Sequence, residues 1–188
     1  MSVSTSGSFY QDVQTELCQG DIIDGVPNIH LKPPIQGLRP ATASKNRQVY
    51  EFHEFGKQSA GFNPDYTQGV KVPAFCQVSR VMLLTHGCDI DNDPDHRTVA
   101  LIRPLARVPE DRRVPIRNNQ NFGFFYLPPD PNRGLDEAYV DLRRLTCLAP
   151  DLVTSGRRLA SLTATSVDAL HFQLFRFFTR RDPSPAPP

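Results

Sequence analysis

Residues 85–96 read Thr-His-Gly-Cys-Asp-Ile-Asp-Asn-Asp-Pro-Asp-His and lie between two apolar, β-type runs. They hold four aspartates, two histidines, a cysteine and a threonine. An extended strand continuing from Arg80 to Cys88 would place Arg80, Met82, Leu84, His86 and Cys88 on one face. His86 and Cys88 would then meet at the strand end. An imidazole beside a thiol can take its proton and create a nucleophile, and Asp89 stands next in the chain to orient the ring. The competing reading is structural: Gly87 ends the strand, Cys88 fills a small gap and the aspartates cap a solvated turn. The sequence leaves both open.

The same residues exclude the common metal loops. Asp89, Asp91 and Asp93 alternate like the start of a calcium loop, but Pro94 stands where that loop needs Gly and Ala100 where it needs Glu. His86, Cys88 and His96 carry zinc-binding atoms without a second ligand pair at standard spacing. No metal and no cofactor is expected.

A second chemical theme is arginine. Arg103, Arg107, Arg112, Arg113, Arg117, Arg133, Arg143 and Arg144 fall in the second half, interleaved with Phe122, Phe124, Phe125, Tyr126 and Tyr139. Arginine with aromatic rings grips phosphates and stacks on bases. The same set also suits a core of rings ringed by solvated or acid-paired arginines. Arg80 and Arg103, beside the polar segment on its two flanking runs, are the candidates for nucleic-acid contact. Phe122, Phe124 and Tyr126 share one strand face and Phe125 and Leu127 the other, a core pattern. His171 reads as a surface or packing residue, and His30 and His53 sit near strand ends without recognisable partners.

These groups need a scaffold, and composition bounds it. The chain has 188 residues, enough for one well-cored domain, with 18 prolines against 11 glycines. That balance disfavours long helices and favours short strands joined by turns. A net charge of +1 excludes a dedicated nucleic-acid coat or a membrane-surface binder, so any nucleic-acid contact must be local. Cys18, Cys76, Cys88 and Cys147 form no Cys-x-x-Cys pair. No secretory leader and no apolar run long enough to span a membrane is evident. The expectation is a cytoplasmic protein with free thiols.

Along the chain, residues 1–16 are expected to be loosely ordered, 17–181 to form a single domain and 182–188 to be a disordered proline-rich tail. Residues 18–23 read as a turn entering a strand, 33–47 as a loop and 49–55 as a strand. The run 72–85 is the longest β segment. Its Val81-Met-Leu-Leu84 core is apolar on both parities, as in a strand covered on both faces. Residues 98–103 are its natural hairpin partner, and 121–127 and 139–145 add strands. A capping box at Thr165–Asp168, followed by Val167, Leu170, Leu174 and Phe177 at helical spacing, predicts a helix over 165–180. The fold class is mostly β (α+β), with a C-terminal amphipathic helix.

The order of motifs resembles the PemK/MazF-type toxin family, whose members are small SH3-like antiparallel β-barrels, many of which cut RNA. Gly20-Asp21-Ile22-Ile23 looks like the family's opening strand. Met82-Leu-Leu-Thr85 is similar to its core-strand end with a terminal hydroxyl. Gln36-Gly37-Leu38-Arg39-Pro40 looks like its Gly-x-Arg-Pro loop. The resemblance implies an SH3-like barrel with elaborated loops, Arg39 as an acid or phosphate stabiliser and Thr85 as the holder of the scissile phosphate. More than 30 residues separate Pro40 from Val72 where the family has few, and Cys88-Asp89 is not part of its pattern.

The functional expectation is a prokaryotic toxin-like or defence-associated protein that engages RNA or a nucleotide, with endoribonuclease chemistry at Arg39, Thr85, His86, Cys88 and Asp89. Its partners would be RNA, a protein such as an antitoxin, and a second copy in a homodimer. The alternative is a non-catalytic module that binds a protein through the Thr85–His96 hairpin.

Overall fold

The computed structural model describes residues 8–30, 36–44, 47–54, 75–93 and 95–182. The strands are β1 (Tyr10–Gln11), β2 (Ile22–His30), β3 (Gln36–Ser44), β4 (Arg47–Glu54), β5 (Phe75–Leu83), β6 (Arg97–Pro104), β7 (Phe124–Leu127), β8 (Ala138–Leu148) and β9 (Arg157–Leu162). The helices are α1 (Gly87–Asn92), α2 (Arg113–Arg117), α3 (Pro150–Thr154) and α4 (Ala164–Thr179). The chain divides into two compact units, one from residues up to Pro27 and from Val78 onward, the other Asn28–Gln77.

The smaller unit holds the antiparallel pair β3–β4, with Arg39 opposite Glu51 and Pro40 opposite Tyr50. This corrects the expectation of a loop over 33–47. A two-stranded sheet has no interior strand, so a residue without an N–H fits into it at little cost.

The larger unit is α+β. Its seven-stranded antiparallel sheet has the order β1-β9-β2-β5-β6-β8-β7, so the expected β5–β6 pairing forms, with Val81 opposite Leu101 and Leu83 opposite Val99. The doubly apolar run is buried on both faces. Met82 and Leu84 join a core with Ile22, Phe125, Val140, Leu162 and Leu170 of α4. Val81 and Leu83 point the other way, into a core with Ile23, Val26, Val99, Leu148 and Val153 of α3. Each face therefore excludes water by a different helix.

Two register breaks bend the sheet. One lies between Ile22 and Ile23. In the other, Leu101 faces Asp141 while its neighbour Ala100 faces Leu145, which loops residues 142–144 out of the ladder. Such bulges increase local twist and curl a sheet. The curl brings the two edge strands near each other through side chains. Tyr10 donates its phenol to the Pro128 carbonyl at 2.7 Å, and the Phe9 and Phe125 rings lie 6.1 Å apart. No backbone pairing between β1 and β7 is present among the described residues. The N-terminal segment expected to be loose thus supplies an edge strand, with Tyr10 buried.

The Gly20–Asp21 pair has a clear architectural job. Gly20 has φ +90°, and a Cβ there would sit 3.0 Å from the Leu162 side chain, so glycine alone fits. Asp21 is fully buried. Its carboxylate accepts from Ser161 Oγ at 2.5 Å and from the Cys18 amide at 3.0 Å, with Arg158 at 3.4 Å. These contacts lock the turn entering β2 to β9.

Helix α4 begins at Ala164 with Thr163 as its N-cap, so the expected capping box at Thr165–Asp168 is not the start of the helix. Ser166 is the reason. It is buried and donates to the Phe9 carbonyl at 2.9 Å, pinning the first turn to the strand region around β1. The helix end matches expectation: Arg180 terminates it in the left-handed conformation with φ 57°. Among the described residues, no helix is long and apolar enough to cross a membrane. Of the expected tail, residues 183–188 lie outside the described residues.

Candidate functional site

Strand β5 ends at Leu83, five residues short of Cys88, and residues 87–92 form a single short helix. The extended geometry expected to align His86 with Cys88 is therefore absent. The two side chains meet nonetheless, by a different route. His86 is the N-cap of α1, and its Nδ1 accepts the Cys88 backbone N–H at 3.3 Å. That cap folds the imidazole back over the first turn. Nδ1 then lies 3.0 Å from Cys88 Sγ, and the sulfur lies 3.7 Å from Asp89 Oδ1. All three side chains are exposed.

Thr85 continues the ladder where the strand stops. Its Oγ1 accepts the Thr98 amide at 2.7 Å, taking the place of a backbone carbonyl, while Leu84 N donates to the Thr98 carbonyl at 2.8 Å. The hydroxyl proton of Thr85 is not used in this bond and remains a donor. Arg97 holds the far end of the segment. Largely buried, it donates to the carbonyls of Ile90 at 2.8 Å, His96 at 2.8 Å and Asp93. A guanidinium gathering the carbonyls at the end of α1 fixes a helix too short to stand alone.

The aspartates divide by role. Asp93 accepts the amides of Asp95 at 2.9 Å and His96 at 3.2 Å. The Asp95 amide bond is the main reason its carboxyl lies below the ordinary carboxylate range. Asp93 is thus a turn-capping residue, as the structural reading anticipated. Among the described residues, no group of three or more acidic, histidine or cysteine side chains is arranged to hold a metal ion.

The tertiary structure adds a partner. His171 of α4 lies with its ring centroid 6.3 Å from that of His86, the planes tilted by 32°. Its Nε2 is 2.6 Å from Gln19 Oε1, and Gln19 Nε2 donates to the Leu84 carbonyl at 2.7 Å. A carbonyl only accepts, so the amide nitrogen of Gln19 faces Leu84 and its oxygen faces His171. His171 must therefore donate through Nε2, which leaves Nδ1 as its free acceptor. By the same logic the neutral His86 ring, accepting through Nδ1, carries its proton on Nε2. One imidazole presents a base and its neighbour an acid.

Arg80 and Arg103, of the other candidate residues, have acidic partners elsewhere in the larger unit. Arg80 lies 3.4 Å from Asp24 and Arg103 lies 3.7 Å from the buried Asp141. Arg39 stands on β3, in the smaller unit, and its side chain lies outside the described residues. His171 is exposed, as its sequence context suggested, but its place beside His86 had no sequence signal. A histidine one step after a core leucine on a helix is commonplace, and Gln19 is 152 residues away. No protein-family model matches the chain, and no curated protein matches it.

Proposed function

We propose that the protein engages RNA or a nucleotide at the His86–His171 surface as a toxin-like or defence-associated endoribonuclease of prokaryotic type, built on an SH3-like barrel. The observation that carries this reading is the pair of neighbouring imidazoles, ring centroids 6.3 Å apart, whose free nitrogens are complementary, with Cys88 Sγ 3.0 Å from His86 Nδ1. In the proposed step, His171 Nδ1 takes the proton of a ribose 2′-hydroxyl as its oxygen attacks the adjacent phosphorus. The bond from phosphorus to the 5′-oxygen breaks, and that oxygen receives the Nε2 proton of His86. Cys88 passes its thiol proton to His86 Nδ1 in the same movement, so the imidazole stays neutral and a thiolate remains. The products are a 2′,3′-cyclic phosphate and a 5′-hydroxyl. The proton on His171 returns through solvent to His86 Nε2 as His86 Nδ1 gives its proton back to the Cys88 thiolate, which restores the starting state. Thr85 offers its free hydroxyl proton to a phosphate oxygen, and Asp89 limits the motion of the thiol. The family resemblance implies a phosphate-stabilising role for Arg39, which stands on β3 of the smaller unit. The meeting of the sheet edges through Tyr10 and Pro128 supports the barrel.

The test is incubation of mixed RNA with the wild-type protein and with the Arg39→Ala, Thr85→Ala, His86→Ala, Cys88→Ala and His171→Ala variants. Wild type should leave 2′,3′-cyclic phosphate ends. Loss of either histidine should slow cleavage by about 10²–10⁴-fold, the usual worth of a positioned acid or base. Equal cleavage by wild type and all variants would sink the site.

A second reading has its own observation. Phe172, Phe175 and Phe178 on α4 are 50%, 46% and 66% exposed, next in sequence to His171. Three exposed rings on one helix suit a protein-binding surface, a homodimer contact or an antitoxin-like partner among them. Absence of RNA cleavage together with retained folding would favour this module.

A further inference from the structure

A second site, whose lining includes neither histidine, lies where the chain leaves β6 and returns through α2 to β7. Residues 105–117 arch over a small core of Leu105, Ile116 and Tyr139, with Val108, Phe124 and Tyr126 packed against it. Beneath the arch is a cleft of about 440 Å³, within the usual range for small-ligand sites. Its lining includes Arg107, Asp111, Arg112, Asn121, Phe124 and Arg143.

The arginines of this region fall into two groups. Arg113 is spent on the arch itself, donating to the Val108 carbonyl at 2.8 Å and the Ala106 carbonyl at 3.0 Å. Arg117 holds Glu137 with two bonds, at 2.6 and 2.8 Å. Arg107 and Arg112, by contrast, have no acidic partner among the described residues, and these two line the cleft. Arg143, on the lining, is gripped by the buried Asp141 through Nε at 2.9 Å and a terminal nitrogen at 3.1 Å. Arg103 and Arg144 stand 3.7 and 3.9 Å from the same carboxylate. One buried negative charge therefore faces three guanidiniums, of which Arg143 lines the cleft; with Arg107 and Arg112 the lining carries three arginines against the single carboxylate of Asp111.

Arg143 is also aligned for stacking. Its Cζ lies 4.4 Å from the Phe124 ring centroid, and the side chain is 57% exposed. Both ends of the stack are thus fixed, by Asp141 and by Phe124, while part of the guanidinium stays open. Asn121 is fixed as well: its Oδ1 accepts the Gly123 amide at 2.9 Å and its carbonyl is held by Gln173 at 2.6 Å, which leaves its side-chain N–H groups to donate.

We propose that this cleft binds a nucleotide unit, the flat base stacking on Arg143 and the phosphate taken by Arg107 and Arg112. A planar guanidinium is suited to base stacking and two unpaired ones to phosphate. Asn121 offers its amide to the base edge. The site is independent of the histidine chemistry and its test reads binding alone. The unit could come from a free nucleotide or from a single-stranded RNA, and the two are separated experimentally.

Binding of 5′-AMP and of ribose 5-phosphate is measured by titration calorimetry, and of a labelled eight-nucleotide single-stranded RNA by fluorescence polarisation. Each is repeated with the Arg107→Ala/Arg112→Ala double variant, whose exposed positions leave the core intact, with thermal unfolding as the folding control. The double variant should weaken binding by about 10-fold or more, since hydrogen bonds to charged groups carry that much. Loss of 5′-AMP affinity assigns a free nucleotide. Loss of RNA affinity, with no 5′-AMP binding by wild type, assigns a strand. Ribose 5-phosphate binding as tightly as 5′-AMP overturns the stacking role. Failure of wild type to bind either nucleotide probe, or unchanged binding by a folded double variant, overturns the proposal.

Discussion

The phenol of Tyr10 donates to the carbonyl of Pro128 across 2.7 Å, joining the first edge of the seven-stranded sheet to the residue that follows its last edge strand. The bond links positions 118 residues apart in the chain. Burial pushes the Tyr10 phenol far above its ordinary range, so it remains a donor at any ordinary pH. Tyr10→Phe keeps the ring and loses the bond. It should cost about 1 kcal/mol, the net worth of a typical hydrogen bond, read as a lower urea midpoint with an unchanged slope. No change would mean that ring packing alone holds the edges.

Asp21 should be less replaceable. Asp21→Ala leaves the buried Ser161 hydroxyl and the Cys18 amide without their acceptor, while the half-buried Arg158 keeps the carbonyls of Glu16 and Thr15; the loss should be about 1–3 kcal/mol. Ser161→Ala should cost clearly less, because Asp21 keeps its other two partners. Equal losses by chemical denaturation would contradict this ranking.

Gly156 is set by space. A Cβ there would lie 2.6 Å from Ile23 Cγ2 and 2.8 Å from the Asp24 carbonyl oxygen. Gly156→Ala should therefore destabilise by about 1–3 kcal/mol, the usual range for overpacking. Gly87→Ala meets nothing within 4 Å and is the control. Thermal unfolding of the two variants side by side decides the matter.

Acid should loosen the arch over the nucleotide cleft. The two bonds from Arg117 hold the Glu137 carboxyl down at about 2, against an ordinary 4.5, with the Tyr126 phenol adding a third at 2.8 Å. A lowered carboxyl stabilises the fold fully above pH 4.5 and loses that contribution as pH falls towards 2. Glu137→Gln should flatten the acid limb of the stability profile. At the alkaline end Tyr126, pushed up to about 12 by burial and then by Glu137, should withhold its proton as pH rises from 10 to 12, and stability should fall there. Absorbance at 295 nm and denaturation at a series of pH values read both limbs.

The tautomers at the histidine surface can be checked directly. Ring nitrogen shifts should place the neutral His171 proton on Nε2, held by Gln19 at 2.6 Å. Gln19→Ala should release a mixture of tautomers and slow cleavage, while Gln19→Glu should retain the tautomer. A single tautomer in Gln19→Ala would remove Gln19 from its positioning role.

Much of the scaffold was legible because local patterns carry it. The doubly apolar run at Val81–Leu84, the pairing of β5 with β6 and the helical spacing of Leu170 and Leu174 each follow from side-chain periodicity. Where a neighbour overrode the local signal, the reading slipped. Pro40 and Gly37 suggested a loop, yet they lie in β3 because β4 pairs with it. Thr165 and Asp168 suggested a cap, yet Ser166 reaches Phe9 and starts the helix earlier. His86 and Cys88 were expected to meet along a strand and meet instead around a helix cap.

By itself, the sequence determined β2, β5, β6, β7 and β8 of the sheet, the C-terminal helix and the polar segment where chemistry concentrates, while β1 and β9 carried no strand reading. Hydrophobic periodicity is a short-range property, written within a few residues. Only the tertiary structure brought His171 and Gln19 to His86, set Asp21 beneath Ser161 and Arg158, and placed Arg103 of β6 beside Asp141 of β8. Those contacts join side chains on different elements, the widest of them 152 residues apart, and depend on bulges and sheet curl that no local pattern encodes.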